Sequence, residues 1–393
     1  MAETADVVVI GGGCSGTSIA MRLAQRGVKK VVLVEKQFLA SGPTGKSIAN
    51  VRPYSSNKET MKAIKRSLDV FTHFEEEIGG DCGRVHTKRL RLVPEKDKKA
   101  LEAEAKWQQK IGVNLRVLYP DDLKELMPQL NVEKFGVAVY YLDACYMNPV
   151  ATTGAYAMRA KDLGADIREE TEVTGLKVSR GKVQSVITNK GEISTPVVVN
   201  AAGPWSAKIG KMVGVEIPVK PIRVETCFFL RPWDFRGIYP TLHNVINEHM
   251  YRCEGNDLLL AHDVNARELP ERVMKSPDKI NDEVGEATVK SFLQEVPALL
   301  PPMKRTSYRG GYASMFDSSP DENPILGKTP EVEGFYLACG WSGLGFEHSP
   351  ATGEAMAELI TEGKTTLFDW TVFRLSRFAE GKPIADAWGY IGG

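Results

Sequence analysis

The sequence predicts a two-part fold: an α/β domain on a parallel sheet, joined to an α+β domain whose sheet is mostly antiparallel. Three observations predict it. First, Asp6–Ile10 is an apolar, β-branched run, followed by Gly11-Gly12-Gly13-Cys14-Ser15-Gly16, a helix-patterned stretch to Gly27, and a second apolar run, Val31–Val34, that ends on Glu35. That is a strand–turn–helix–strand unit. Second, Val197–Asn200 runs into Ala201–Ser206 and Gly334–Cys339 runs into Gly340–Phe346, so distant segments return to the same parallel sheet. Third, the texture changes from about Pro218 to Tyr312, where Arg223–Leu230, His249–Cys253 and Leu258–Ala261 suggest antiparallel pairing.

The glycine run sets the chemistry of the first unit. Gly11, Gly13 and Gly16 match G-x-G-x-x-G between a strand and a helix, with Glu35 closing the second strand, which is the Rossmann-like dinucleotide arrangement. A pyrophosphate needs bare backbone N–H groups and the positive end of a helix dipole, and a Cβ would obstruct its approach. Glu35 can accept hydrogen bonds from both ribose hydroxyls, each worth roughly 1.5–3 kcal/mol, and would repel a 2′-phosphate.

Bulk properties narrow the class. The 393 residues suffice for a large core and two lobes. Lys+Arg and Asp+Glu both number 50, which argues against a nucleic-acid or electrostatic membrane binder. No apolar run approaches the length of a membrane span, and with a strand expected from Asp6 no signal peptide is expected. The six cysteines form no C-x-x-C and no metal spacing with the six histidines, so the expectation is reduced thiols, a cytoplasmic protein and no metal.

The remaining elements follow in order. Ser41-Gly42-Pro43-Thr44-Gly45-Lys46-Ser47 is either an ordinary loop or a second phosphate-contacting loop; its glycine spacing is not that of a Walker A loop. Met61, Ile64, Leu68, Phe71 and Phe74 recur at helical spacing, predicting one long helix from Lys58 to Gly79. Leu90–Val93 reads as a strand, Asp97–Ile111 as a helix capped by Asp97, and Asp121–Met127 as a short helix. Phe135–Leu142 is strand-like, and Pro149–Leu163 is a helix after the turn 143–149. Ala165–Arg168, Thr171–Val178 and Val183–Thr188 read as strands, with Arg180-Gly181-Lys182 and Asn189–Glu192 as turns. A helix is expected over Asp282–Val296 and another from Pro350 to Thr361, with the Gly340–Gly345 glycines freeing N–H groups for a second anion site.

Taken together, these motifs resemble the FAD-dependent D-amino-acid oxidase superfamily, in its sarcosine oxidase, glycine oxidase and proline dehydrogenase β-subunit branch. The matching stretches are Gly11–Glu35, Thr44–Ser47, Asp143–Pro149, Thr171–Val173, Val199–Ser206, Ser319–Asp321 and Gly340–Ser349. The resemblance implies a flavoprotein oxidoreductase that binds FAD and oxidises an amine C–N bond to an imine by hydride transfer to flavin N5. It implies an FAD-binding domain over 1–85, 145–217 and 313–393, and a substrate-binding domain over 86–144 and 218–312. The FAD contacts it implies are Gly11, Gly13, Cys14, Ser15 and Gly16; Glu35 and Lys36; Thr44, Gly45, Lys46 and Ser47; Val173, at the adenine; Ala202, Gly203 and Trp205; and Gly340, Ser342, Gly343, Leu344, Gly345 and Phe346, around the flavin.

Three departures stand out. Monomeric sarcosine oxidases attach their flavin through a cysteine in a run ending Pro-Asp; here Ser314 holds that place, so FAD is expected to be non-covalent. Those oxidases carry a lysine over the flavin where Leu259 falls here, which favours a dehydrogenase over an oxidase. Several relatives have a carboxylate-binding lysine after the phenylalanine of Gly345-Phe346, where this chain has Glu347. Glu347 is then paired with an arginine, faces a cationic group, or turns outward as a helix N-terminal acid.

Arg52, Tyr251, Glu347 and His348 are the catalytic candidates, with Arg223, Arg252, His262 and Arg309 as further anchors. Strand alternation lets only one of Tyr251 and Arg252 face a pocket, and Tyr251 is the choice. The expected partners are a small amine or amino acid such as sarcosine, proline or glycine, and an electron acceptor that is oxygen, a quinone or another protein. A homo- or hetero-oligomer is compatible with the charged helices. The alternatives are oxidation of a hydroxy acid or glycerol phosphate on the same fold, and a non-catalytic flavin-bearing subunit.

Overall fold

The computed structural model describes residues 3–55, 57–264 and 269–385. Its first large sheet has six strands in the order Ile325–Lys328, Phe335–Cys339, Val198–Asn200, Val7–Ile10, Val31–Val34, Asp166–Arg168. All pairs are parallel except that of Ile325–Lys328 with Phe335–Cys339. The strands from Val7, Val31 and Val198 are buried throughout, as a parallel sheet covered on both faces requires. One face packs on the helices Cys14–Gln25, Pro149–Asp162 and Gly345–Glu362 through Ile19, Leu23, Tyr156, Ala351 and Ala355. The first and last of these helices approach so closely that a Cβ on Gly353 would lie 2.1 Å from Ser18 Oγ. The other face packs on Val173, Val186, Ile193 and Ile209, partly from a four-stranded sheet.

The second large sheet has eight strands: Tyr308–Ser318, Lys220–Leu230, Leu258–Asp263, His249–Glu254, Thr241–Asn244, Arg89–Val93, Val137–Tyr141 and Leu115–Leu118. Pairing is antiparallel except between Thr241–Asn244 and Arg89–Val93. Its register sorts the side chains into two faces. Leu90, Leu242, Tyr251, Ala261 and Cys227 form one cross-strand row, and all five join the core that includes Phe292 and Val296 of the helix Glu286–Leu299. Arg91, His243, Met250, His262 and Thr226 form the neighbouring row, on the opposite face.

Several local expectations change. The helix from Lys58 ends at Thr72, and Phe74–Glu77 is a separate turn. Asn57 caps it, accepting the N–H groups of Glu59 and Thr60. Asp97 stands at the predicted cap of Lys98–Lys110, but its side chain makes no capping bond. The last helix starts at Gly345, not Pro350; the Pro350 ring falls inside it, and Ser67 Oγ accepts the Ala351 N–H at 3.2 Å. Leu115–Leu118 and Thr241–Asn244, strands of four residues each, carry no pattern long enough to be seen in the sequence.

Candidate functional site

A large cleft runs between the two main sheets, with roughly 1730 Å³ of atom-free space counted to its open mouth. At one end it is lined by Gly11, Gly13, Cys14, Ser15, Glu35 and Lys36, then by Thr44, Lys46 and Ser47, with Val173, Ala202, Gly203 and Trp205 opposite. Gly343, Leu344, Gly345 and Phe346 line it further in, with Arg52 and Glu347. Gly16, Gly45, Gly340, Ser342, Tyr251 and His348 are not among the lining residues.

The nucleotide end is built by close approach. Gly11 has φ +114°, and a Cβ there would lie 2.4 Å from the Ala201 carbonyl oxygen. Gly16 serves packing, since its Cβ would meet the Gly11 carbonyl oxygen at 2.0 Å. Gly45 likewise abuts the Ala40 carbonyl oxygen, behind the cleft wall. The Glu35 carboxylate accepts N–H groups from Gly12 at 2.7 Å and Gln37 at 2.9 Å, which fixes it at the strand end. Lys36 lies 3.7 Å from the Trp205 ring centroid and pairs with Asp278, while Lys46 pairs with Asp282 at 2.6 Å. Two helices, Cys14–Gln25 and Gly345–Glu362, begin at this cleft.

Behind the glycine loop that precedes the second helix, Asp317 accepts the Gly340 N–H at 2.8 Å and Ser342 Oγ accepts the Ser319 N–H at 3.1 Å. Gly340 and Ser342, with φ values of +71° and +51°, therefore shape the loop from behind. Burial pushes the Asp317 carboxyl up to about 7, against the pull of N–H groups from Trp341, Asp317 itself and Gly340.

The inner end carries the charges. Arg52 Nε donates to Glu347 Oε1 at 2.9 Å, and the Arg52 backbone N–H to Oε2 at 3.0 Å. Of the three alternatives for Glu347, the structure shows pairing with an arginine. Burial works to weaken the Arg52 guanidinium's hold on its proton, and Glu347, together with Tyr54, more than offsets it, so its pKa lies above the ordinary value. His348 lies behind this pair, near-parallel to the Trp341 ring at 6.0 Å, with Nε2 unbonded. Burial, then the Arg52 charge, hold it down to about 3, so it is a neutral packing group.

Tyr251 departs from its expected orientation. It is fully buried on the helix-facing side of the eight-stranded sheet, with its hydroxyl 3.5 Å from Glu295. Met250 and His262 line the cleft instead, because they share the row on the other face. Leu259 is buried in the helix-side core, and His262 is the residue of its strand that reaches the cleft. Arg223 pairs with Glu225, Arg252 pairs with Glu254 and stacks 3.9 Å from the Tyr146 ring centroid, and Arg309 is exposed. Ser314, buried, lines the cleft.

Among the lining residues that the sequence reading did not name, Asn50 and Arg89 stand out. Asn50 has both its amide nitrogen and oxygen buried without partners. Arg89, the first residue of its strand, is also buried and lines the cleft. The available signal was the Arg-x-Arg spacing of Arg89 and Arg91 in an otherwise apolar strand.

The residues fit a dinucleotide with a flavin. The glycine cradle leaves no room for side chains, the acid stands at the second strand end, and the unpartnered Asn50 amide awaits a polar ligand. Among the described residues no cluster of His, Cys, Asp or Glu could hold a metal ion, and no helix is long and apolar enough to cross a membrane.

Comparison with known proteins agrees with this geometry. A family model described as FAD dependent oxidoreductase matches residues 6–359. Human mitochondrial sarcosine dehydrogenase is 27% identical over 92% of this chain, but the match spans only 40% of that protein. The chain thus spans about two-fifths of the length of such curated relatives. The sarcosine oxidase subunit beta of Rhodobacter capsulatus is 25% identical over 97% of this chain and 90% of its own. The crystal structure of L-proline dehydrogenase from P. horikoshii superposes with a TM-score of 0.89 at 27% identity, covering 98% of this chain and all of that one.

Proposed function

The chain belongs to the family of FAD-dependent oxidoreductases, and on that premise we propose that it oxidises an amino acid or secondary amine, of the sarcosine, proline or glycine kind, to the imine. The observation that carries this is one continuous cleft joining the Gly11–Glu35 cradle to the polar face of the eight-stranded sheet. A substrate held on that face lies beside the inner part of a dinucleotide held in the cradle.

The roles of this chain's residues follow. The N–H groups around Gly11–Ser15, at the start of the first helix, would hold the diphosphate, and Glu35 the adenosine ribose. The start of the Gly345–Glu362 helix would stabilise negative charge on the ring system. Bound FAD supplies a two-electron acceptor for a hydride from the substrate carbon. The buried walls, Met250, Phe346 and Trp341 among them, exclude water and keep the amine desolvated, and the lone pair of a neutral amine forms the C=N bond as the hydride leaves.

Two finer points belong to the same proposal. Ser314 at the cleft wall, with a hydroxyl in place of a thiol, supports non-covalent FAD. The second sheet contributes Arg89, Met250, His262, Val224 and 314–317 to the lining, and no lysine among the described residues, which supports a dehydrogenase. The six free, buried thiols support a reducing compartment such as the cytoplasm. Likeness to a sarcosine oxidase subunit beta favours assembly with a second subunit.

The test is anaerobic mixing of the yellow protein with sarcosine, proline and glycine. Bleaching of the flavin band, with faster recovery by artificial acceptors than by oxygen, is the expected result. Bleaching by a hydroxy acid or glycerol phosphate alone, or by none of these compounds, would overturn the proposal.

A further inference from the structure

Three charged side chains meet at the inner end of the cleft: Arg52, Arg89 and Glu347. Two of them neutralise each other, since Arg52 and Glu347 form a buried ion pair at 2.9 Å. Arg91, two residues along the same strand face, has its own carboxylate, Glu104, at 3.0 Å. Arg89 has neither. It is 3% exposed, its Nε and Nη2 have no hydrogen-bond partner, and no carboxylate among the described residues pairs with it. It lies over the face of Tyr54, with the guanidinium carbon 5.4 Å from the ring centroid. Tyr54 is itself stacked on Tyr141 at 4.1 Å, which holds the ring in place.

A buried guanidinium with no carboxylate bonded to it is costly, and the fold accepts that cost on a strand that lines the cleft. Burial above all, and then the neighbouring Arg52 charge, act against the charged form of Arg89 and outweigh the help it draws from Tyr54 and the nearby Glu347 charge, so an anion bonded to it would favour that form. The cluster carries one net positive charge, and Arg89 Nε and Nη2, buried and unpartnered, are the two donors of a planar fork that matches a carboxylate. Arg89 stands on the eight-stranded sheet, whereas the glycine cradle for a diphosphate belongs to the six-stranded one.

We propose that Arg89 is the anchor for the substrate's carboxylate, so that the chain selects amino acids over simple amines. This rests on the amine-oxidation reading above. It moves anion recognition away from Arg52, whose charge Glu347 already satisfies, to a residue on the second sheet.

The experiment uses the flavin-loaded protein and two readouts. In the first, sarcosine and proline are compared anaerobically with dimethylamine and pyrrolidine, the same skeletons without the carboxylate. The amino acids are expected to bleach the flavin at concentrations about 100-fold lower. Equal bleaching by both sets would overturn the Arg89 assignment and leave amine oxidation standing. In the second, acetate and propanoate are titrated into the wild type, R89K and R89M, and binding is read from the flavin absorbance shift and from thermal stabilisation. R89M is expected to bind about 100-fold more weakly, with part of the affinity kept in R89K. This readout stands even if no amine bleaches the flavin. Unchanged carboxylate affinity in R89M would overturn the assignment, as would Arg89-dependent binding of glycerol 3-phosphate in preference to the carboxylates. If R89M does not fold, R89K and the wild-type amine comparison decide.

Discussion

Arg52 and Glu347 are joined twice, by guanidinium Nε to Oε1 at 2.9 Å and by backbone N–H to Oε2 at 3.0 Å, across 295 residues of sequence. The pair ties the chain just after the Asn50–Val51 strand to the first turn of the Gly345–Glu362 helix, and it closes the inner end of the cleft. Both side chains are over nine-tenths buried, so removing one charge strands the other. E347Q is expected to lose about 3–5 kcal/mol of unfolding free energy in urea titrations. The R52M/E347L double variant should recover much of that loss, and simple addition of the two single losses would refute the coupling.

The glycine cradle makes a sharper prediction about backbone. At Gly11 a methyl group would need both φ +114° and a 2.4 Å approach to the Ala201 carbonyl oxygen. G11A should therefore cost on the order of 3 kcal/mol and purify with little flavin, measured as the ratio of flavin to protein absorbance. G27A is the control: Gly27 has φ +83° but open space around it, so only about 1 kcal/mol and no flavin should be lost.

Two buried titratable groups give opposing pH dependences. The Asp317 carboxyl rises from 3.8 to about 7, chiefly through burial. Its contribution to stability is fully present below pH 3.8 and is lost as pH rises through about 7. His348 falls from 6.5 to about 3, through burial and then the Arg52 charge. Its contribution is present above pH 6.5 and is lost as pH falls through about 3. Between roughly pH 4 and 6.5 the two slopes cancel, each being at most about 1.4 kcal/mol per pH unit. D317N should expose a stability that rises with pH in that window, and H348L one that falls. Identical pH profiles for wild type and both variants would contradict the assignment.

A fourth prediction concerns Arg377, fully buried, which donates to both Asp321 oxygens at 2.8 Å and to the Phe373 carbonyl at 2.8 Å. It stitches the segment around Phe373–Arg377 to the Ser319-Pro320-Asp321 turn, which meets the 340–346 loop through Ser319 and Ser342. R377M should lose about 3–5 kcal/mol while leaving carboxylate affinity of the folded protein unchanged. A ligand-affinity change larger than the stability loss would place Arg377 in the binding machinery instead.

The nucleotide half was legible because it is local. Strand, glycine turn, helix and acid occupy Val7 to Glu35 without a break, and bare N–H groups beside a diphosphate demand glycine at fixed spacing. The loop 340–346 and the run 199–206 carry the same kind of short-range requirement. Sequence likewise narrowed Glu347 to three fates by the sign of its charge.

Which face of the second sheet meets the cleft was settled only in three dimensions. Alternation along His249–Glu254 separates Tyr251 from Met250 but does not tell which side is wet. The answer comes from registering five strands, one of them, Thr241–Asn244, too short to recognise: Tyr251 falls beside Leu90, Leu242, Ala261 and Cys227, and that row must turn to the helix Glu286–Leu299. Met250 and His262 are left for the cleft. The pairing of Glu347 with Arg52 was of the same kind, a bond between segments 295 residues apart. So was the isolation of Arg89, which depends on where Glu104 and Glu347 are already committed. Local backbone chemistry is written residue by residue; the balance of charge in a buried cleft is a property of groups that only folding brings together.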